Sequence, residues 1–456
     1  MDKSATRNRY FFGLGTVGRD MLYSLVSMYL IVYLTEILNL PDSTMYWMAG
    51  IFTALRIFDA VNDPIMGFFV DNTHSRFGKF KPWIAIGGVI GGIFTILLFT
   101  DFGLRGTGYI VSFVIIYLIW DLTYGANDIA YWSMLPSLSI DQKEREKLGS
   151  FARICANIGL FTCVVGILPI TKALGGDKKA WLIFAVAVVL ITLAFLCFTL
   201  FGVKENRAIV NKQENTSLRD MFKVLFKNDQ LLFTAISMAL FMIGYCTTTS
   251  FGVYFFKYAY KNEAMYSVFA GVLGISQLAA LGFFPIFSKR FNRKQLYTFA
   301  TILVVLGYIL FFLAPMNMLI IGLSGMLIFV GQAFIQLLML MFLTDTIEYG
   351  QLKLGKRNES ITFSVQPFIN KIGGALASGI VIVTLNISGI NSAPTPDDVT
   401  ASGLLTMKLA MLIFPLISIV AGYIVYLLKF KIDKEMFDKI VTELGERGDL
   451  DLSEKK

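Results

Sequence analysis

The chain has 456 residues, of which 55% are hydrophobic and only 16% are charged. Together with a mean hydropathy of +0.65, this composition excludes a water-soluble globular protein of this size. The net charge of +8 does not require a nucleic-acid partner, because the distribution of cations between loops accounts for most of it.

Apolar stretches of about 20 residues, separated by short polar breaks, predict an all-α membrane protein of twelve transmembrane helices in two sets of six. The predicted spans are 10–38, 44–70, 82–101, 107–136, 148–171, 180–203, 229–258, 264–288, 295–314, 318–346, 361–387 and 402–428. The predicted domains are an N-terminal six-helix bundle (1–203), a cytoplasmic linker (204–228), a C-terminal six-helix bundle (229–430) and a cytoplasmic tail (431–456). We expect a short amphipathic helix in the linker, near Leu218 to Phe226.

Lysine and arginine are distributed unevenly between alternate loops. Of the 40 cations, 29 fall in the terminal segments and in the loops on the same side as the termini, and only six fall in the other loops. The positive-inside rule therefore predicts that both termini are cytoplasmic. The basic opening segment leads into an apolar run that is too long, and lacks the small-residue cleavage site, for a removable signal peptide.

The sequence contains no Gly-rich phosphate loop, metal-ligand cluster or nucleophile elbow. ATP-driven pumping and enzymatic catalysis therefore have no supporting motif, and we expect no cofactor. The four cysteines fall in apolar spans without metal-ligand spacing, which indicates packing residues.

The first span carries an adjacent cation and anion, Arg19 and Asp20, after a Gly-rich stretch that begins at Gly13. Neighbouring residues on a helix point about 100° apart, so these two charges cannot both be neutralised by each other. We expect at least one of them to face a polar cavity. The alternative is that Asp20 pairs with a cation from another helix for stability only.

The second span places Arg56, Asp59 and Asp63 inside an otherwise apolar run. Asp59 and Asp63 are four residues apart, so they lie on the same face of a helix. Two facing carboxylates repel each other unless a cation lies between them, and this pair therefore predicts a cation site. The alternative is an internal salt bridge with Arg56, although Arg56 can satisfy only one of the two acids.

The fourth span is too polar between residues 120 and 132 to face lipid. Asp128 precedes Trp132 by four residues, and a carboxylate near an indole is typical of a sugar site. The acid accepts hydrogen bonds from hydroxyls, while the ring stacks on the C–H face of the sugar. The alternative for Trp132 is a core-filling role. Arg153, in the fifth span, is the expected partner of Asp128 or Asp20 and a further donor to sugar hydroxyls.

Few charged residues fall within the predicted spans of the second half, so those that do are candidates for a function. Asp345 and Glu348 lie near the end of the tenth span, and Glu359 lies in the polar loop that follows. We assign these three acids to a cytoplasmic gate. Lys371, in the eleventh span, needs carboxylate neighbours, and the acid pair of the second span is the candidate.

Over nearly its whole length the chain resembles the glycoside-pentoside-hexuronide:cation symporters, a family of the major facilitator superfamily. The stretches that carry the resemblance are Arg56 to Gly67, Ser75 to Trp83, Asp128 to Trp132, Asp141 to Glu146, Phe151 to Arg153, Asn228 to Leu231, Asp345 to Gln351 and Lys371 to Ala375. The basic loop that contains Ser75 to Trp83 resembles the signature loop of the superfamily, and we interpret it as a conformational latch.

The resemblance implies the major facilitator superfamily fold, with two six-helix halves that rock about a midplane site. It also implies that Asp59 and Asp63 hold the coupling cation, as metal ligands if this ion is Na⁺, and that Arg56 and Lys371 act in coupling. The galactoside site implied by the resemblance consists of Arg19, Asp20, Asp128, Trp132 and Arg153.

Three positions depart from the pattern of the family members that the chain resembles. Gly125 stands where a threonine contributes to the cation site, so one hydroxyl ligand is missing. Gln336 stands where a tryptophan lines the sugar site. Lys356 replaces a histidine, whereas Glu359 is retained.

These features predict a secondary transporter that couples a galactoside-type sugar (melibiose, lactose, raffinose or galactose) to Na⁺ or H⁺, with Na⁺ favoured. Only the fully loaded or the empty carrier would reorient, and each ligand would tighten binding of the other. The alternatives are a proton-coupled pentoside or glucuronide symporter and, from other classes, a sugar sensor or a lipid flippase on the same scaffold. The expected partners are the sugar, the monovalent cation and the lipid bilayer of a bacterial plasma membrane, and we expect the protein to function as a monomer.

Overall fold

The computed structural model describes residues 3–205, 226–390, 393 and 395–450, and the side chains of a few residues in the first two helices, Arg56 among them, lie outside that description. The amphipathic helix expected in the linker falls almost entirely on residues outside the described ranges.

The described residues form long helices joined by short loops. These helices are α1 (Lys3–Val32), α2 (Asp42–Asp71), α3 (Lys81–Leu98), α4 (Thr107–Leu138), α5 (Gln142–Ala173), α6 (Lys178–Cys197), α7 (Asp229–Tyr254), α8 (Ala264–Arg290), α9 (Arg293–Leu313), α10 (Met318–Leu354), α11 (Glu359–Ile387), α12 (Ala401–Lys429) and α13 (Lys434–Glu446). Single π-helical turns extend α1, α6 and α7 and interrupt α12.

Eleven of these helices are long and apolar enough to cross a membrane, counted over the described residues. The helix α2 is not among them, although its 30 residues are sufficient in length. Its middle carries Arg56, Asp59 and Asp63, which lower its hydropathy. With α2 included, the helices correspond to the twelve predicted spans.

Side-chain caps define several helix starts. Asp141 accepts hydrogen bonds from the backbone N–H groups of Lys143 and Glu144 at the start of α5. Asn292 and Gln295 form a reciprocal capping box at the start of α9. Such caps satisfy N–H groups that have no partner within the helix. The polar breaks between apolar runs therefore also supply the signals that begin the next helix.

The described residues group into two compact units. The first is drawn from residues 1–221, 356–364 and 444–456, and the second from residues 222–355 and 365–443. In the first unit α1 packs against α5 and α6, while α4 packs against α2 and α3. In the second unit α10 packs against α8 and α9, and α7 packs against α12.

Glycines allow α1 to approach its neighbours closely. A Cβ atom on Gly159 of α5 would lie 2.0 Å from the carbonyl oxygen of Val17, and one on Gly18 would lie 2.5 Å from the Cα atom of Thr192 on α6. Small residues at such contacts are typical of packed membrane helices. These two contacts fix α1 on both sides at the turn that carries Arg19.

We predict that Gly159→Ala destabilises the protein by about 1–3 kcal/mol, because the added methyl group would meet backbone atoms that cannot move independently. Gly166→Ala, on the same helix, is the matched control, since its Cβ would lie 3.4 Å from the Cδ1 atom of Ile170, the end of a flexible side chain. The measurement is the thermal midpoint of the purified protein in detergent. Equal midpoints for the two variants would contradict the close contact between α1 and α5.

Candidate sugar, cation and gating sites

Arg19 on α1 bridges two carboxylates in the first unit. Its Nη1 atom lies 2.5 Å from Oδ1 of Asp128 on α4, and its Nη2 atom lies 3.1 Å from Oδ2 of Asp20. The Arg19 side chain is 7% exposed, whereas those of Asp128 and Asp20 are 25% and 21% exposed. The cation is thus enclosed, while both acids keep part of their surface open to a ligand.

Arg153 on α5 interacts electrostatically with both Asp20 and Asp128. Among the described residues it forms no ion pair with either acid, and the expected direct pairing stays a prediction. Its guanidinium instead lies over the ring of Trp132, 4.4 Å from the centroid, in a cation–π contact. Its Nε atom is buried without a hydrogen-bond partner within the described structure.

Trp132 is more enclosed than a stacking surface for a sugar would need to be. Its ring is 6% exposed, and it packs edge-on against Phe12 and Tyr131. This packing fits the core-filling alternative for Trp132. Its role as a stacking residue stays a prediction.

A ladder of aromatic rings, which the sequence reading missed, lies near the two acids. Tyr23 on α1 stacks on Tyr124 of α4 with centroids 5.2 Å apart, and Tyr124 stacks on Trp120 at 5.5 Å. Tyr23 is 44% exposed. The signal was present, because Tyr23 follows Asp20 by three residues and Tyr124 precedes Asp128 by four, which puts each ring on the same helix face as an acid.

A small cavity of about 20 Å³ lies beside Arg19 and is lined in part by Tyr124 and Asn127. Such a cavity holds about one water molecule. Arg19 Nε and Asn127 Oδ1 are buried without a hydrogen-bond partner, whereas Asn127 Nδ2 donates to the carbonyl of Ile84 at 2.7 Å.

The predicted cation pair lies on α2, with Asp63 buried and Asp59 partly buried. A Cβ atom on Gly125 of α4 would lie 3.8 Å from Oδ1 of Asp63. The position that lacks the expected hydroxyl is therefore a direct neighbour of this acid. Asn62 is also buried, and its Nδ2 atom has no partner in the described structure. The space above Gly125 thus adjoins a carboxylate of the predicted cation pair.

The two predicted coupling residues, Arg56 and Lys371, lie on α2 and α11. The side chain of Arg56 lies outside the described structure, so its predicted role in coupling and the alternative of a salt bridge with one of the two acids both stay predictions. Lys371 is partly buried on α11 and belongs to the second unit, and its pairing with the acids of α2 stays a prediction as well. No group of three or more His, Cys, Asp or Glu side chains that could hold a metal ion occurs among the described residues, which does not test a site with two carboxylates.

Glu359, assigned above to a gate, lies in a buried ion network of the first unit. Lys79 Nζ lies 2.7 Å from Oδ1 of Asp71 and 3.3 Å from Oε2 of Glu359. Arg357 Nε lies 2.6 Å from Oε1 of Glu359. The network joins the end of α2 and the loop after it to the start of α11. The sequence could not reveal this arrangement, because almost 290 residues separate its two parts.

Backbone groups complete the network. The carboxylate of Asp71 accepts hydrogen bonds from the N–H groups of Ser360 and Ile361 at 3.0 and 2.8 Å, where the helix dipole of α11 favours a negative charge. Glu205 accepts from the N–H groups of Lys79 and Lys81 at 3.0 and 3.3 Å. Burial is the largest influence on the Glu205 carboxyl and raises its pKa above the usual value.

The other two predicted gate acids lie on α10 in the second unit. Asp345 and Glu348 are both fully buried. Asp345 is paired with Arg293 at the start of α9. Separation of a buried ion pair leaves an uncompensated charge and costs free energy, so this pair stabilises the contact between α9 and α10.

The comparisons with known proteins extend over nearly the whole chain. A family model described as MFS/sugar transport protein matches residues 11–434. The lactose permease of Lactobacillus delbrueckii subsp. bulgaricus is 34% identical over 451 residues, which cover 96% of this chain and 72% of the permease. The raffinose carrier protein of Pediococcus pentosaceus is 34% identical over 454 residues, which cover 96% of this chain and 71% of the carrier.

Solved structures share the fold at low sequence identity. The proton:xylose symporter XylE, bound to 6-bromo-6-deoxy-D-glucose, matches with a TM-score of 0.65 and 15% identity over 96% of this chain and 99% of that one. FucP in its outward conformation matches with a TM-score of 0.66 and 11% identity over 94% and 99% of the two chains. Taken with the family match and the helical architecture, these likenesses identify the chain as a multi-pass membrane protein of the MFS/sugar transport protein family, in the glycoside-pentoside-hexuronide symporter group.

Proposed function

We propose that this sugar symporter carries a galactoside-type sugar into the cell together with Na⁺ or H⁺, by alternating access in a bacterial plasma membrane with both termini cytoplasmic. The observation that carries the proposal is the pair of partly open carboxylates, Asp128 and Asp20, that share the enclosed cation of Arg19. Charged groups inside membrane spans are costly, and they commonly mark a substrate pathway.

The chemistry of this cluster suits a sugar. Asp128 and Asp20 accept hydrogen bonds from hydroxyls, and Arg153 is the predicted further donor. Tyr23 offers an exposed ring for the C–H face of a sugar. Lactose and raffinose, the sugars named for two relatives, both contain a galactosyl ring. This shared ring supports a galactoside as the substrate class.

The cation site in this proposal is the acid pair of α2, with Arg56 and Lys371 acting in coupling. Asp59 and Asp63 supply carboxylate oxygens for Na⁺, although Gly125 supplies no hydroxyl. Proton coupling needs only one carboxyl group that binds a proton near neutral pH. Two close carboxylates favour such a group, because they repel each other when both are ionised. We favour Na⁺ because of the close match to the Asp-x-x-x-Asp pattern. The missing hydroxyl at Gly125 favours H⁺ as the coupling ion, which is one feature of the second candidate, a proton-coupled pentoside or glucuronide symporter.

Asp128→Asn is expected to abolish sugar binding without preventing membrane insertion. The amide keeps the volume of the side chain but loses charge-assisted hydrogen bonds worth about 1.5–3 kcal/mol each. The measurement is equilibrium binding of lactose and melibiose to the purified protein. The control is Asp177→Asn in the loop before α6, where asparagine still caps the helix. Wild-type affinity in a well-folded Asp128→Asn variant would remove Asp128 from the site.

Asp63→Cys is expected to uncouple transport, because the cation loses one of its two carboxylates. Exchange of sugar across the membrane should persist, while accumulation driven by a gradient should be lost. Both are measured with labelled sugar in proteoliposomes under imposed Na⁺ or proton gradients. Concentration of sugar by the variant against its gradient would show that the acid pair has a structural role only.

Addition of Na⁺ at fixed pH, without a membrane potential, is expected to tighten sugar binding several-fold, since coupling between two ligands is reciprocal. Gly125→Thr should strengthen this effect by adding an oxygen ligand beside Asp63, at a position where a Cβ meets only ordinary contacts. Gly125→Val has nearly the same shape without the oxygen and is the matched control. No response to Na⁺ at any pH, together with uptake driven by a proton gradient, would show that the Na⁺ assignment is wrong and that the acid pair is a protonation site.

A further inference from the structure

The junction between α8 and α9, in the second unit, concentrates positive charge. Four of its six residues are cations, and no acid falls among them: Lys289, Arg290, Arg293 and Lys294. Arg293 is paired with Asp345 on α10. The other three cations are exposed, and none of them forms an ion pair within the described part of the chain. Three positive charges are thus open to a ligand.

The sidedness of loops explains why cations occur here, but it does not explain why they have no acid beside them. Other cations near helix ends have such partners. Arg9 on α1 lies 2.5 Å from Glu144 of α5, and Lys79 lies 2.7 Å from Asp71. Like charges that are close in the chain repel each other, and a bound anion would relieve this repulsion.

The helix dipoles account for only part of this charge. Lys289 and Arg290 lie in the last turn of α8, where the dipole favours cations. Lys294 lies in the first turn of α9, which contains no acid, and there the dipole favours a negative charge. Stabilisation of helix ends therefore explains the first two cations but not the third.

An exposed apolar surface leads up to these cations. Phe283 and Ile286 on α8 are 58% and 59% exposed, and Arg290 lies two turns and one turn beyond them on the same helix face. Phe287 stacks on Phe299 of α9 with ring centroids 6.3 Å apart, which joins the two helices at this end. In a chain that spans the membrane, such a surface contacts the acyl chains of lipids. The cations lie where this surface ends.

The combination of charge and apolar surface indicates the class of ligand. A phosphodiester takes charge-assisted hydrogen bonds from lysine and arginine. Free phosphate would use the cations alone and leave the apolar surface without a role. A zwitterionic phospholipid has no net charge, so the three cations attract it less than they attract an anionic one. An anionic phospholipid matches both features.

We propose that Lys289, Arg290 and Lys294 form a binding site for the headgroup of an anionic phospholipid, whose acyl chains lie along the exposed rings of α8 and α9. None of these three residues belongs to the proposed sugar or cation site, so the lipid site does not depend on the proposed function. Arg293 stays paired with Asp345. The lipid would therefore bind beside the ion pair that stabilises the contact between α9 and α10.

The experiment counts lipids bound to the full-length purified protein by native mass spectrometry. The probe is dioleoyl phosphatidylglycerol, and dioleoyl phosphatidylcholine, which has no net charge, is the comparison. The wild type should bind phosphatidylglycerol about tenfold more tightly or better. Lys289→Gln, Arg290→Gln and Lys294→Gln should each weaken its binding about fivefold, the contribution of one cation near a charged lipid surface. The triple variant should bind both lipids equally.

The matched control removes the same number of exposed cations from helix ends next to the alternate loops. It is the triple variant Lys172→Gln, Lys179→Gln and Lys257→Gln, and it should change the affinity for phosphatidylglycerol less than twofold. Glycerophosphoglycerol, the headgroup without acyl chains, and inorganic phosphate should not displace the lipid when they are present at its concentration.

Three outcomes overturn the lipid site. The first is equal affinity of the wild type for the two lipids. The second is an equal loss of phosphatidylglycerol binding in the two triple variants, because a general effect of net charge would then account for it. The third is displacement of the lipid by glycerophosphoglycerol or inorganic phosphate, which would make the three cations a site for soluble anions.

Discussion

The double pairing of Arg19 is the interaction on which the first unit depends. A guanidinium enclosed by helices loses the stabilisation of water, and Asp128 and Asp20 restore it through its fork of donors. Removal of one partner from a buried pair costs about 3–5 kcal/mol, because the remaining charge stays buried. A sugar therefore cannot replace Arg19 as the partner of the acids without a large cost. It can add hydrogen bonds to the open carboxylate oxygens, and this constrains how the proposed site binds its ligand.

The position of Arg19 is itself set by close contacts between helix backbones, which glycines permit. At Gly18 and Gly159 a single added methyl group would overlap backbone atoms of Thr192 and Val17. With α1 held between α5 and α6, the guanidinium has little freedom to follow Asp128 if α4 moves. A shift of α4 would then stretch the ion pair rather than carry Arg19 along with it.

The sequence predicted the class of fold well, because hydropathy and capping residues act over one helix at a time. The twelve spans and the enclosed acids follow from such local patterns, while Asp128 as a site residue stays a prediction. The partner of Asp128 did not, since Arg19 and Arg153 are equivalent by charge and only the packing decides between them. The cation–π contact of Arg153 with Trp132 also accounts for the enclosed indole. The ion pair between Lys79 and Glu359 could not be predicted from local patterns, because the two residues are distant in the chain.

The helix α4 joins the proposed sugar and cation sites. Asp128 on this helix is bonded to α1 through Arg19, and Gly125, three residues earlier, lies against Asp63 of α2. Asn127, between them, is bonded to the backbone of Ile84 on α3. A ligand shifts an equilibrium only through its different affinity for the two states, so coupling requires one element that both ligands influence. The α4 segment from Gly125 to Asp128 meets this requirement. A change in charge at Asp63 acts on α4 at Gly125, and Gly125 lies less than one helical turn from Asp128, the acid that would bind the sugar.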